Sequence, residues 1–194
     1  MRQIRKTYLL LALGTGLLPQ TGMTAGVHQH GVAQLDVVIE PPALTLALHS
    51  PLANLVGFEH PPVTAEEQAL WADLQQQMQQ PGLQLVLPQA AGCSVQHSEM
   101  NNPFASHTEH TEHTHEHEHE HEHEHNDEHH DDHDHADLTV EYRFHCAQPK
   151  QLTQLELPLM QNYPGIEKLE VRMLTPSGQH LHILQTSEQQ LPLP

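Results

Sequence analysis

The sequence predicts an α+β protein, mainly antiparallel β-sheet with one clear helix and a disordered histidine-rich insertion. Short segments of alternating apolar and polar residues recur along the chain, whereas only one segment has helical periodicity. Residues 107–135, called the tract below, contain no apolar side chain and so cannot pack in a core. An all-β sandwich with one helix is the alternative class, because about eight strands suit either architecture.

The first 25 residues have the pattern of a cleaved secretory signal peptide. Three basic residues within Met1–Lys6 precede an apolar run, Tyr8–Leu18, that is too short to span a bilayer. An uncleaved membrane anchor is the alternative reading. We expect a mature chain, residues 26–194, that folds as one domain interrupted by a disordered loop at residues 101–136 and is not inserted in the membrane.

Two strands are predicted as a hairpin at the start of this domain. Residues 31–40, GVAQLDVVIE, and residues 43–50, ALTLALHS, approximate a two-residue alternation. The prolines in the EPPA segment between them cannot lie inside a central strand and therefore indicate a turn. An irregular connection is expected over residues 54–62.

The helix is predicted over residues 64–82, TAEEQALWADLQQQMQQPG. Thr64 and Glu67 have the spacing of a capping box at its start, and a Pro–Gly pair ends it. The apolar residues at helical spacing are expected to face the core. They are Leu70, Trp71, Leu74 and Met78.

One strand is predicted on each side of the tract, at residues 92–99 before it and at residues 136–146 after it. In the second of these, Leu138, Val140, Tyr142, Phe144 and Cys146 fall on one face. Further short strands are predicted at residues 83–87, 152–159, 166–174 and 179–184.

The two cysteines, Cys93 and Cys146, are expected to form a disulfide. An exported protein with an even number of cysteines usually pairs them. Antiparallel pairing of the strands that flank the tract would bring the start of one strand beside the end of the other. A metal-binding thiolate is the alternative reading of either cysteine.

The tract reads HTEHTEHTHEHEHEHEHEHNDEHHDDHDH and places 13 histidines and 12 carboxylates in 29 residues. Neutral imidazole is a good ligand for Zn²⁺, Cu²⁺ and Ni²⁺, and three or four imidazoles per ion would let the tract hold roughly three or four ions. A solvated linker without a metal role is the alternative. The predicted ligands are His107, His110, His113, His115, His117, His119, His121, His123, His125, His129, His130, His133 and His135.

Zinc sites in such a tract are expected to be weaker than preformed ones. The chain must wrap around each ion, and ordering it costs about 1 to 2 kcal/mol per residue. Overlapping sets of ligands would allow an ion to move from one set to the next. The tract is therefore suited to acquiring and exchanging divalent metal, Zn²⁺ first and Cu²⁺ or Ni²⁺ as alternatives.

Two histidine pairs outside the tract have a spacing of two residues. His28 and His30 precede the first strand, and His180 and His182 lie on the last predicted strand. Each pair would share one face of a strand and could supply half of a fixed metal site. The sequence favours His28 and His30 as the metal-binding pair, and two exposed polar residues are the alternative for each.

The charge balance disfavours nucleic acid and anionic membranes as partners. The chain has 25 acidic and 7 basic residues, a formal net charge of −18, and loss of the signal removes three basic residues and no acidic ones.

The sequence contains no arrangement of residues typical of an enzyme active site that would favour catalysis over metal binding. HEHEH in the tract matches the HExxH metalloprotease motif by letters only, because it cannot form a packed helix.

Several short motifs outside the tract are distinctive. They are HQHGVAQL (28–35), PLANLVGFEH (51–60), AGC (91–93), YRFHC (142–146) and YPGIEKLEV (163–171). Together with the tract, these motifs resemble the ZrgA family of periplasmic bacterial zinc-binding proteins, and the resemblance covers essentially the whole mature chain. It implies an accessory protein, produced under zinc starvation, that holds zinc in the tract and supports a zinc importer of the ATP-binding-cassette type.

The sequence therefore predicts a non-enzymatic periplasmic protein that scavenges or stores Zn²⁺ and passes it to an importer. A metal sink or efflux chaperone induced by excess Zn, Cu or Ni is the first alternative, because it needs the same weak, multiple sites. A structural module that docks on a membrane transporter is the second.

Overall fold

The computed structural model describes residues 29–105, 136–186 and 188–194. The predicted signal peptide, the tract and His28 lie outside these residues. The strands are β1 (Val32–Glu40), β2 (Ala43–Pro51), β3 (Cys93–Met100), β4 (Asp137–Cys146), β5 (Gln154–Glu156), β6 (Lys168–Thr175), β7 (Gly178–Gln185) and β8 (Gln190–Pro192). The α-helices are α1 (Ala53–Val56), α2 (Ala65–Met78), α3 (Pro81–Gln84) and α4 (Leu159–Asn162).

Six strands form one sheet in the order β3-β4-β2-β1-β6-β7, and β5 pairs with β8 in a separate two-stranded sheet. Every neighbouring pair in the large sheet is antiparallel except β1 and β6, which run parallel. A parallel pair needs a long crossover, which the chain between β1 and β6 provides. The predicted α+β class, mainly antiparallel with one long helix, is confirmed.

One face of the large sheet forms the hydrophobic core. Alternating residues of β1, β2, β4 and β6 are buried, as the two-residue period of a half-buried strand requires. Leu74 and Met78 of α2 and Leu155 and Leu191 of the small sheet belong to the same buried cluster. The predicted inward face of β4 is confirmed, since Leu138, Val140, Tyr142, Phe144 and Cys146 are all buried.

Two tyrosine hydroxyls fix helix α2 on the core. The Tyr142 hydroxyl donates to the carbonyl of Met78 at 2.6 Å, and the Tyr163 hydroxyl donates to Oε1 of Gln77 at 2.9 Å. Burial raises the pKa of both tyrosines, so the hydroxyls keep their protons and remain donors. The C-terminal half of α2 is therefore held by hydrogen bonds as well as by apolar contact.

The predicted capping box at the start of α2 is confirmed. The Thr64 hydroxyl accepts from the Glu67 backbone N–H, and the Glu67 carboxylate accepts from the Thr64 backbone N–H. These backbone N–H groups hold the pKa of Glu67 below its usual value. The predicted apolar stripe is confirmed only in part, because Leu74 and Met78 are buried while Leu70 is 44% exposed.

The strand predicted at residues 83–87 is wrong. Pro81 occupies the first turn of the short helix α3, where its fixed φ angle is favourable, and the chain returns to an extended form only after Gln84. Val86 makes a single bridge with Glu156 of β5. The predicted strand at residues 152–159 is reduced to β5, and the C-terminal β8 was not predicted.

The two ends of the large sheet carry different features. The starts of β1, β4 and β6 and the ends of β2, β3 and β7 lie at one end, called the tract end because the tract leaves and rejoins the sheet there. Cys93 pairs with Cys146 at the opposite, disulfide end. The tract end therefore also carries the segment that precedes β1.

Asn54 of α1 connects the elements of the tract end. Its side chain is buried, accepts from the Gly31 N–H at 2.7 Å and donates to the carbonyl of Val32 at 3.0 Å. The chain before β6 packs directly on its backbone, because a β-carbon at Gly165 would lie 2.4 Å from the Asn54 carbonyl oxygen. Gly165 must therefore lack a side chain.

Replacing Asn54 by Ala should lower the free energy of unfolding by about 1 to 3 kcal/mol, because it leaves the Gly31 N–H and the Val32 carbonyl without their partner. Urea unfolding would measure the change. Asn162, an exposed residue that donates to the Leu83 carbonyl, is the matched control, and Asn162→Ala should cost less. Equal losses in the two variants would contradict this role of Asn54.

Candidate metal-binding region

Asn101 closes the hydrogen-bonded ladder at the point where the tract leaves the sheet. Its backbone N–H donates to the carbonyl of Thr139 at 3.0 Å, and its side-chain oxygen accepts from the Thr139 N–H at 2.6 Å. The side-chain amide also donates to the Asp137 carbonyl at 3.0 Å. One residue thus extends the pairing of β3 and β4 beyond the last residue of β3.

Both sides of the tract are attached to the folded domain. On the N-terminal side, the Phe104 ring packs edge-on against Trp71 of α2, with ring centroids 5.4 Å apart. On the C-terminal side, Ala136 is buried and its carbonyl accepts from the Leu52 N–H at 2.8 Å. The described part of the predicted 101–136 loop, residues 101–105 and Ala136, therefore contacts α2, β4 and the chain after β2.

The predicted Cys93–Cys146 disulfide is present in the structure. The two cysteines are directly opposite each other in the antiparallel pairing of β3 and β4 and are 53 residues apart in sequence. Neither thiol is free, so the alternative of a cysteine metal ligand is wrong. The bridge closes the ladder at one end, and Asn101 closes it at the other.

Most of the described basic side chains form ion pairs with nearby carboxylates. Arg172 donates to both carboxylate oxygens of Asp36, at 2.6 and 2.7 Å, and this contact raises its pKa. Arg143 pairs with Glu141, and Lys168 pairs with Glu170. These pairs leave the folded part of the chain little positive charge to offer the 12 carboxylates of the tract.

His30 is the only predicted metal ligand that falls within the described residues. Its Nε2 atom lies 3.1 Å from Oε1 of Glu59, and the imidazole is mostly exposed. The Glu167 carboxylate lies over the adjacent Gly31, where an added β-carbon would be 3.4 Å from it. Glu59 was not predicted as a site residue, although the GFEH segment that contains it was noted as a motif.

His30 and Glu59 together would give a metal ion at most two ligands. No group of three or more His, Cys, Asp and Glu side chains within residues 29–105, 136–186 and 188–194 is arranged to hold a metal ion. A zinc ion normally takes four ligands, so a site at His30 would need donors from elsewhere in the chain.

The other histidine pair, His180 and His182, lies on one face of β7, as expected from its spacing. His182 is opposite Val171 and His180 is opposite Met173 in the pairing with β6. Three other described histidines have local partners. His49 lies 3.2 Å from the Thr139 hydroxyl, His97 lies 3.2 Å from Glu99, and His60 stacks on Phe58.

The model of a family described as "ZrgA family zinc uptake protein" matches residues 27–193. The match covers most of the chain, including both strands that hold the tract. No curated protein matches the chain.

The chain therefore falls in the class of zinc uptake proteins. The matched family is not a known enzyme family. It belongs to the ZrgA family, as its motifs indicated, and membership implies association with zinc. None of the described helices is both long enough and apolar enough to cross a membrane.

Replacing both Cys93 and Cys146 by Ser should lower the free energy of unfolding by about 4 kcal/mol, because the bridge closes a loop of more than 50 residues in the unfolded chain. Urea unfolding of the oxidised wild type and the double variant would measure this. Identical midpoints would contradict a stabilising bridge.

Proposed function

We propose that this protein is a periplasmic zinc-binding protein that collects and stores Zn²⁺ in the tract and assists an ATP-binding-cassette zinc importer when zinc is scarce. The observation that carries the proposal is the tract itself, 13 histidines and 12 carboxylates with no apolar residue, inserted in a zinc uptake protein. The signal-like first 25 residues support export to the periplasm.

The folded domain supports this role by holding the tract without competing for its ligands. The β3–β4 ladder, closed by the disulfide and by Asn101, fixes both ends of the tract on one stable support. Binding of each zinc ion then loses conformational entropy only in the tract. Binding and release of zinc therefore do not require the domain to unfold.

The charge distribution supports zinc as the cation that balances the carboxylates of the tract. The chain carries a formal net charge of −18, and three of its basic side chains already pair with carboxylates in the folded domain. A divalent cation that enters the tract relieves repulsion between carboxylates and is bound by imidazole. Carboxylates attract the ion, and histidines hold it.

His30 and Glu59 are proposed as a transfer point between the tract and the folded domain. The His30 imidazole is exposed, the Glu59 carboxylate is mostly covered, and both lie at the tract end of the sheet. His28 has the spacing to add a second imidazole. A site completed there would have fixed donors and would hold zinc more tightly than the tract does.

Replacing all 13 tract histidines by Gln should remove most bound zinc, because the imidazoles are the proposed ligands. The matched control replaces the 12 carboxylates by Gln and keeps every histidine, and it should retain most of the zinc sites. Equilibrium dialysis would give the stoichiometry, and circular dichroism would check that the strands persist. Wild-type zinc content in the histidine-free variant would contradict the proposal.

Zinc affinity should fall steeply below pH about 6.5, the ordinary histidine pKa, because only neutral imidazole binds the ion. With three or four imidazoles per ion, each further pH unit should cost about three or four decades of affinity. Zinc titrations at pH 7.5, 6.5 and 5.5 would measure the dependence. A nearly constant affinity would mean that carboxylates are the principal ligands.

Expression and growth distinguish uptake from the alternative role as a sink for excess metal. An uptake protein should be produced on zinc depletion, and cells carrying the histidine-free tract should grow more slowly than wild type in a zinc chelator. Induction by zinc loading, with growth impaired only at high zinc, would replace the uptake proposal by the sink.

A further inference from the structure

The two edge strands of the large sheet differ in the features that protect an edge strand from pairing with another chain. At one edge, the pairing of β3 with β4 is irregular between Val95 and His97, and β3 carries Glu99. At the other edge, β7 pairs with β6 over all eight residues without interruption. It contains no Lys, Arg, Asp, Glu or Pro between Gly178 and Gln185, so it lacks the usual features that prevent edge-to-edge pairing.

The side chains of β7 also differ between its two faces. Leu181 and Ile183 point to the outer face of the sheet and are 66% and 55% exposed. His180 and His182 lie on the opposite face, half-buried beside Met173 and Val171 of β6. The nearest polar partners of the His180 ring are the hydroxyls of Ser177 at 3.4 Å and Thr175 at 3.5 Å, which are long hydrogen bonds.

Two imidazoles on one face of a strand supply half of a tetrahedral zinc site. The described residues of a single chain do not bring a third ligand to them. A second copy of the same strand supplies two more histidines of identical spacing. Because most soluble oligomers are two-fold dimers, in which the same patch meets itself, a second copy is the partner that this pair fits best.

We propose that two copies of this protein pair through their β7 strands and that a zinc ion bound by His180 and His182 of both copies holds the dimer together. In a two-fold antiparallel pairing centred on Leu181, His180 of one copy lies opposite His182 of its partner, and the reverse. This register pairs residues 178–184 of both copies, almost the whole strand. Directly opposite β-carbons in such a pair are about 4.5 to 5.5 Å apart, which places four imidazoles around one position.

The zinc ion is required because the strand edges alone make a weak interface. One added strand pair buries far less than the roughly 1,200 Å² of a stable complex, and each copy carries a formal net charge of −18. The uncharged β7 edge is where two such copies can approach, and the ion adds positive charge between them. The dimer should therefore form with zinc and separate in a chelator.

The first experiment measures the mass of the full chain by light scattering, with zinc and with a chelator. Wild type should be a dimer with zinc and a monomer without it, and His180→Asn with His182→Asn should remain monomeric in zinc. The matched control, His97→Asn with His145→Asn, removes two exposed histidines near the other edge and should dimerise like wild type. A monomeric wild type, or zinc-dependent dimers of the β7 variant, would overturn the proposal.

A second experiment tests the register. Leu181→Cys should form a disulfide-linked dimer on mild oxidation in zinc, because residue 181 faces its own copy at the two-fold axis. Ile183→Cys should not, since residue 183 would face residue 179 of the partner. Cross-linking of Ile183→Cys alone would overturn the proposed register and the four-histidine site. The zinc content of the tract is independent of both results, so the uptake proposal is tested separately.

Discussion

The pairing of β3 with β4 is the constraint on which the rest of the structure depends. The tract has no apolar side chain to bury, so the described residues on either side of it are what attach it to the core. The Cys93–Cys146 bridge fixes one end of the ladder, and Asn101 extends it at the other. Since β4 is also an inner strand of the sheet, the tract is attached to the core itself.

This arrangement separates the stability of the domain from the metal binding proposed for the tract. The domain is stabilised by the buried face of one sheet, by α2 and by the disulfide, none of which includes a predicted zinc ligand. Under the proposed function, the tract would gain or lose ions while the sheet stays folded. The weak, overlapping sites proposed for the tract suit exchange, and the fold does not depend on them.

The sequence predicted the strands best where burial follows a strict alternation. β1, β2, β4 and β6 each bury alternate residues, so their period is visible without the structure. The strand prediction for residues 83–87 was wrong because their apolar residues have the pattern of a strand, whereas Pro81 begins a helical turn just before them. β8 was missed because three residues are too few to show a period.

The candidate site was predictable only in its composition. Histidine content identified the tract, and strand placement with the even cysteine count gave the disulfide. The contact between His30 and Glu59 joins residues 29 positions apart through the position of α1, which no local pattern reveals. The edge position of β7 likewise depends on the strand order of the whole sheet.

X-ray absorption at the zinc edge of the fully loaded protein tests the central claim most directly, because it reports the atoms bound to the metal. Imidazole ligation predicts nitrogen scatterers at about 2.0 to 2.1 Å, with the outer-shell pattern of three or four histidine rings per ion. A shell of oxygen atoms without imidazole scattering, or sulfur at about 2.3 Å, would contradict a histidine-based zinc store.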